Sequence, residues 1–321
     1  MNIGDLVRKY GEGSIFSMSD GGVVHGVETV STGSYMLDLA LGGGEMLGGL
    51  PVGRISLFAG NPGSGKTTLA LSSIVSAQRA GMTCVYFDAE YALDVEYAER
   101  IGVSTDGMYI SQPSTAEQCL DMMYDIVRSE ERCMVVMDSI AALTPVREMG
   151  GESGDAHVGL VARLLSQHMR RIARHVHVNR HVVLMINQYR SNITGMVYGK
   201  TKVLPGGKAQ EYFASVIVDL ARVGSLKSGG EEVGIEVGAK VVKNKIARPF
   251  QRASIPILFG AGVDRGMELV DLAMAAGLIV KSGSWYRTKD GETVGQGRSA
   301  CSEWALSHTE EILEAFRVRL G

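Results

Sequence analysis

The run Arg54-Ile-Ser-Leu-Phe-Ala-Gly-Asn-Pro-Gly-Ser-Gly-Lys-Thr-Thr68 joins a mostly apolar hexapeptide to a glycine-rich octapeptide. The first part has the composition of a buried strand. The second, Gly60 to Thr67, fits the pattern GxxxxGK[ST] without a gap. An apolar, alternating stretch continues from Lys66 to Arg79 and predicts a helix. A strand, a glycine loop and a helix N-terminus in that order turn backbone N–H groups inward around phosphate oxygens, and the positive end of the helix dipole adds to them. Lys66 is then placed to reach the β- and γ-phosphates and the Thr67 hydroxyl to ligate a divalent cation.

Outward from this run the alternation continues. Cys84-Val-Tyr-Phe-Asp88 reads as a strand, Asp94–Ile101 as a helix, Met108–Ser111 as a strand and Thr115–Arg128 as a helix. Cys133-Met-Val-Val-Met-Asp138 and His181-Val-Val-Leu-Met-Ile-Asn187 are further strands, and Val216–Val223 and Glu236–Lys243 later strands of the same sheet. Continuous apolar strands separated by helices imply a mostly parallel sheet covered on both faces. The pattern changes near Gly260–Gly266. Beyond it come a helix (Met267–Ala276), a polar hairpin around Ser284-Trp-Tyr-Arg287 and a closing helix (Thr309–Arg319), so residues 264–321 read as a small α+β domain. Residues 1–30 form a short leader.

The 321 residues are 45% hydrophobic and 21% charged, which excludes bulk disorder. No apolar run reaches the roughly 18 residues of a membrane span, and the start lacks the apolar core of a signal peptide. The four cysteines are far apart, without metal-ligand spacing, and read as buried thiols of a cytoplasmic protein. The net charge of −3 conceals an asymmetry. Between Asp155 and Glu211 no acidic residue occurs, while nine basic ones do: Arg163, Arg170, Arg171, Arg174, Arg180, Arg190, Lys200, Lys202 and Lys208. A stretch of that length suits a polyanion-facing surface; a solvated basic helix face is the plainer alternative.

Four polar residues follow strands at the sheet edge that carries the glycine loop. Asp138 is placed to hold Mg²⁺, or else to cap a helix. Glu90 is placed to orient and deprotonate a water, with Asp88 as competitor. Gln188 opens into the basic stretch and can sense a γ-phosphate oxygen by hydrogen bonding; an ordinary strand-end amide is the equal alternative. Ser191–Gly207 is a long acid-free loop suited to a phosphate backbone. The five histidines from His157 to His181 lack an HExxH pattern and read as surface or core residues.

With these residues assembled, the chain resembles the bacterial-type RecA recombinases. The resemblance runs from about Tyr10 to the C-terminus. It rests on Glu28-Thr-Val-Ser-Thr-Gly-Ser34, the glycine loop, Phe87-Asp-Ala-Glu90, Ser111-Gln-Pro113, Val136-Met-Asp-Ser-Ile-Ala-Ala-Leu-Thr-Pro145, Ile186-Asn-Gln188 and Val241-Val-Lys-Asn-Lys-Ile-Ala247. It implies a short polymerisation segment (1–30), a RecA-type P-loop ATPase core (31–263) with DNA-binding loops at about 148–158 and 189–208, and a duplex-gathering domain (264–321). It implies ATP and Mg²⁺ as cofactors, with nucleotide held by Gly60, Asn61, Pro62, Gly63, Ser64, Gly65, Lys66, Thr67 and Thr68, adenine by Asp94 and Tyr97, and metal by Thr67 and Asp138. Glu90 is the implied base, Gln188 the γ-phosphate sensor, and Lys243 and Lys245 reach ATP across a subunit interface. DNA contacts fall to Arg163, Arg170, Arg190, Lys200, Lys202, Gly206 and Gly207, with Val158 and Ile193 as apolar wedges.

The implied partners are single-stranded DNA, homologous duplex DNA, further copies in a filament, and repressor proteins of a DNA-damage (SOS) response. Lys281, Arg287, Lys289 and Arg298 are the cations available to a duplex. The implied function is ATP-dependent pairing and strand exchange in recombinational repair. A ring-forming motor of the same fold and a metabolic P-loop kinase are the alternatives, the kinase leaving the acid-free stretch unexplained. The chain departs from the family pattern in a short N-terminal segment, a longer Gly42–Gly49 loop, Glu211 where a basic residue is common, and an ending at Arg319-Leu-Gly321 without an acidic tail. The last departure leads to an expectation of readier duplex binding.

Overall fold

The computed structural model describes residues 2–11, 15, 27–150, 159–191 and 202–320. Helix α1 (Ile3–Tyr10) opens the chain with a reciprocal capping box between Asn2 and Asp5, and none of its residues is buried. Strands β1 (Thr29–Val30) and β2 (Leu50–Pro51) pair around helix α2 (Tyr35–Leu41). Then β3 (Arg54–Gly60), α3 (Lys66–Arg79), β4 (Thr83–Asp88), α4 (Val95–Ile101), β5 (Met108–Ser111), α5 (Ala116–Arg128) and β6 (Cys133–Asp138) alternate. Next come α6 (Val146–Met149), α7 (Leu160–Val178), β7 (Val182–Gln188), the short pair β8 (Arg190–Ser191) and β9 (Lys202–Val203), and α8 (Ala209–Phe213). Strands β10 (Val216–Ser228), β11 (Glu231–Asn244), β12 (Arg252–Leu258) and β13 (Gly262–Val263) complete the large sheet.

That sheet has the order β13-β12-β11-β10-β3-β7-β6-β4-β5. From β10 to β5 every pairing is parallel, while β10 to β13 pair antiparallel. The antiparallel extension is longer than the sequence pattern predicts, and β12 and β13 are additions to it. Its cause is local: β10 and β11 are joined by Gly229-Gly230, both at positive φ, a two-residue turn that only an antiparallel hairpin accepts. Strand residues alternate between two cores. Cys84, Tyr86, Leu184 and Ile186 face one core with Leu69 and Ile74 of α3; Val85, Phe87, Val183 and Met185 face the other with Leu120 of α5 and Met169 of α7. Two covered faces explain why these strands read as continuous apolar runs.

Helix α9 (Arg265–Ala276), the antiparallel strands β14 (Ile279–Ser282), β15 (Trp285–Thr288) and β16 (Thr293–Gln296), and helices α10 (Ser302–Ser307) and α11 (Thr309–Leu320) share a third core. Two polar junctions join this unit to the rest of the chain, one at the start of α2 and one on β11. Buried Glu268 lies 2.5 Å from Ser34 Oγ and accepts from the Tyr35 N–H at 2.8 Å. Arg298 donates to both Asp271 and Glu236, so it is committed internally and is not a free cation for duplex DNA, contrary to the sequence expectation. Among the described residues no helix is long and apolar enough to cross a membrane.

Candidate functional site

Beyond the carboxyl ends of the parallel strands lies a cleft of about 480 Å³, the position ligands take in open α/β sheets. Pro62 to Thr68 form its floor, with Glu90, Tyr97, Asp138 and Gln188 on one side and Ile235 and Ile257 to Gly260 on the other. The second wall belongs to the antiparallel extension and was not anticipated from sequence. Gly60 and Asn61 lead into the loop, and their carbonyls accept from Lys66 Nζ at 3.2 and 2.8 Å. Burial holds the Lys66 ammonium below its ordinary pKa, and the nearby Asp138 and Glu90 charges pull it back up.

Thr67 Oγ1, on the first turn of α3, donates to Asp138 Oδ2 at 2.8 Å, and the Tyr86 hydroxyl donates to the same oxygen at 2.7 Å. Burial raises the Asp138 carboxyl above its ordinary range, and the Tyr86 and Thr67 hydrogen bonds oppose that shift. Burial, and then the Asp138 charge, push the Tyr86 phenol up, so it stays a donor. A hydroxyl and a carboxylate side by side at the phosphate loop are hard oxygen donors and fit Mg²⁺.

The two acids after β4 have different work. Asp88 accepts from the Ala92 and Leu93 N–H groups and from Gln112 Nε2, so it pins the loop that follows. Glu90 faces the cleft, where Oε1 accepts from Ser139 Oγ at 2.5 Å and from Gln188 Nε2 at 2.7 Å. Tyr97 lines the cleft, with its hydroxyl 2.8 Å from Thr68 Oγ1. Asp94 does not line it; its carboxylate caps α4 by accepting from the Tyr97 N–H.

Gln188 ends β7, one residue after buried Asn187, whose Nδ2 donates to Pro205 O and to Gln210 Oε1. Gln210, fully buried in α8, donates onward to Gly207 O at 3.1 Å and also to Pro205 O. The base of the 189–208 loop is thereby tied to the strand that ends at the cleft. Gly206 and Gly207 hold positive φ, and a Cβ on Gly206 would meet Leu165 and Ile140 at 2.6 and 2.8 Å, so packing against α7 requires both glycines. Arg190 donates to Ala141 O at 3.1 Å. Arg163 and Arg170 line one depression on α7 with Ser166 and Gln167. The basic stretch is not one face: Arg171 stacks on Tyr124, and Arg180 pairs with Glu28. Val158, Ile193 and Lys200 lie outside the described residues; of Lys202 the backbone pairing with Ser191 is described.

Lys243 and Lys245 are not in the cleft wall. Lys243 is level with Ile217, and so with Leu57 in mid-strand, while the Lys245 N–H donates to Ser215 O, level with Ile55. Lys243 is thus level with the middle of β3 and Lys245 with its amino end, and the glycine loop follows its carboxyl end. Lys243 Nζ donates to the carbonyls of Glu211 and Tyr212, at 2.6 and 3.2 Å, on the last turn of α8. Among the histidines, His168 bonds Asp121 and Leu164 O, and His181 is buried between Val127 O and the Cys133 N–H.

Family profiles match the chain twice, as the RecA N-terminal domain over residues 1–264 and as the RecA C-terminal domain over residues 267–317. A relative named Protein RecA, from Thioalkalivibrio sulfidiphilus (strain HL-EbGR7), is 44% identical over 308 residues, which cover 96% of this chain and 88% of the relative.

Proposed function

This chain belongs to the RecA family, and on that premise we propose the residue roles by which it works as an ATP-dependent DNA recombinase. It is a DNA-dependent ATPase that binds single- and double-stranded DNA and assembles into filaments. The backbone N–H groups of Gly63 to Thr67 take the phosphates, and Lys66 exchanges its two carbonyl partners for phosphate oxygens. Thr67 and Asp138 would hold Mg²⁺, which neutralises charge on the phosphates when bound. Tyr97 supports the adenine; Asp94 acts on it only by fixing the start of α4.

Glu90 takes the proton of the attacking water. Ser139 and Gln188 hold its Oε1 in place, which aims the carboxylate without an added charge. When Gln188 turns toward a γ-phosphate it leaves Glu90, and the change passes down β7 to the base of the 189–208 loop through Asn187 and Gln210. Arg163, Arg170, Arg190, Lys200 and Lys202 contact the DNA backbone, Val158 and Ile193 separate groups of bases, and Gly206 and Gly207 set the path by which the loop packs on α7 and enters α8. Lys243 and Lys245 act on the ATP of a neighbouring copy.

The observation that carries this reading is the Ser139–Glu90–Gln188 chain at the cleft, continuous with the acid-free loop. The division into residues 1–30, 31–263 and 264–321 assigns polymerisation, catalysis and duplex gathering in turn. The test is strand exchange and ATP hydrolysis with and without single-stranded DNA. The wild-type protein hydrolyses ATP in response to DNA and exchanges strands. Glu90→Gln binds ATP and DNA but loses at least about 10²-fold in hydrolysis. DNA-independent phosphorylation of a small acceptor would refute the reading.

A further inference from the structure

Tyr86 is the largest fully buried side chain of the large core, on β4 among Phe58, Leu69, Val136 and Ile186. A phenylalanine would fill the same space. What the hydroxyl adds is one hydrogen bond, 2.7 Å long, to Asp138 Oδ2 on the neighbouring strand. The same oxygen accepts from Thr67 at 2.8 Å, and among the described residues no donor reaches Oδ1. Two fixed donors on one oxygen lock the rotation of the carboxylate. Oδ2 is held against the core and α3, and Oδ1 is left to the cleft that Asp138 lines.

We propose that Tyr86 is a positioning residue for the metal at the phosphate site, setting both its affinity and its selectivity by fixing the Asp138 carboxylate. The proposal rests on Thr67 and Asp138 being the metal residues. The physical reason is the difference between small and large cations. Mg²⁺ demands near-ideal octahedral geometry at about 2.0–2.1 Å, whereas Ca²⁺ accepts irregular shells at about 2.3–2.6 Å. A carboxylate that cannot swing suits the first and penalises the second. Partners of a ligand, one bond removed from the metal, commonly change its affinity by about 10- to 100-fold.

The experiment measures binding of a non-hydrolysable fluorescent ATP analogue to the full chain, titrated with Mg²⁺ and separately with Ca²⁺, for wild type, Tyr86→Phe and Asp138→Asn. Tyr86→Phe should need about 10-fold more Mg²⁺ for half-maximal tightening and should narrow the gap between Mg²⁺ and Ca²⁺, while its binding in EDTA stays as in wild type. Unchanged metal titrations in Tyr86→Phe, with Asp138→Asn shifted, would overturn the role of Tyr86 and leave the metal site standing. Unchanged titrations in both variants would overturn the metal site itself. Equal weakening of Tyr86→Phe with and without metal would make the hydroxyl a general stabiliser of the cleft and also overturn the proposal.

Discussion

Replacing Gln188 with alanine removes the side chain that joins the Glu90 carboxylate, the proposed base, to the strand leading into the 189–208 loop. The Gln188–Glu90 bond is 2.7 Å long and has a charged acceptor, but it lies at an exposed position. Bonds to a charged partner contribute about 1.5–3 kcal/mol, and exposure puts this one below that range, at about 1–1.4 kcal/mol. That corresponds to a five- to tenfold coupling between nucleotide state and DNA affinity. Ser139 still holds Glu90 at 2.5 Å, and the Gln188 backbone N–H still donates to Asn187 Oδ1 at 2.8 Å, so the cleft and the end of β7 persist. Nucleotide affinity should therefore change by less than about twofold. The assay is fluorescence anisotropy of a labelled oligonucleotide, with Mg²⁺ and either an ATP analogue or ADP, at one salt concentration because salt alone shifts such affinities strongly. Wild type should bind more tightly with the ATP analogue, and Gln188→Ala should lose most of that difference. An undiminished ratio in the variant would refute the coupling route. Gln188→Glu sharpens the result, because a second carboxylate beside Glu90 should repel it and reduce hydrolysis further than alanine does.

Lys243→Ala should leave nucleotide binding by isolated protomers intact and lower DNA-stimulated hydrolysis by about 10²-fold, the usual loss when a cation facing developing phosphate charge is removed; in mixtures with Glu90→Gln, strictly additive activity would count against a shared site. Arg170→Ala should weaken single-stranded DNA binding across sequences and flatten the log–log salt slope by about 0.7, and an unchanged slope would remove Arg170 from the phosphate contacts. Burial raises the Glu268 carboxyl from its ordinary 4.5 to about 8, with the Ser34 and Tyr35 bonds opposing the shift. Its proton therefore stabilises the folded state fully below about pH 4.5, and that contribution, as much as about 5 kcal/mol, is lost as pH rises through about 8. Thermal melts should show wild type losing stability between pH 5 and 8 relative to Glu268→Gln, whose amide does not titrate; parallel curves would show that Glu268 is not protonated at the junction.

Legibility followed the physics of each feature. The parallel strands were readable because both faces are covered, which leaves an apolar residue at nearly every position of β4, β6 and β7. The glycine loop was readable because its spacing leaves little choice of residue: a Cβ on Gly60 would meet Leu220 O at 2.4 Å and one on Gly65 would meet Ile257 at 2.7 Å. The far halves of β10 and β11 were not, because one face is open to solvent and Ala221-Arg-Val-Gly-Ser-Leu-Lys-Ser228 mixes charge with apolar residues. With them went Ile235 and the Ile257–Gly260 wall of the cleft. Charge, likewise, does not announce its partner: Arg298 reads as available in sequence, yet Glu236, 62 residues earlier, neutralises it across a domain junction. The capping role of Asp94, whose carboxylate accepts from the Tyr97 N–H three residues on, was not read from the sequence beside the adenine contact that the resemblance implies.

The antiparallel extension also decides where Lys243 and Lys245 lie relative to the cleft. A parallel strand would have to cross over and deliver its carboxyl end to the cleft, beside the glycine loop. Strand β11 instead runs back along β10, so the segment carrying Lys243, Asn244 and Lys245 lies between the middle and the amino end of β3. Asn244 is level with Ser56, four residues before Gly60, or roughly 13 Å along the strands. The segment is held there firmly. Asn244 Nδ2 donates to Leu41 O at 2.8 Å, and its Oδ1 accepts from the Ile246 and Ala247 N–H groups, so the turn bearing Lys245 is built against the end of α2. Meanwhile Lys243 rests on the last turn of α8, the same helix whose Gln210 grips the base of the DNA loop. On the proposed roles of Lys243 and Lys245, cations held away from their own phosphate loop meet a phosphate loop between copies. Head-to-tail stacking of protomers is the arrangement in which that proposal completes every cleft but the terminal one.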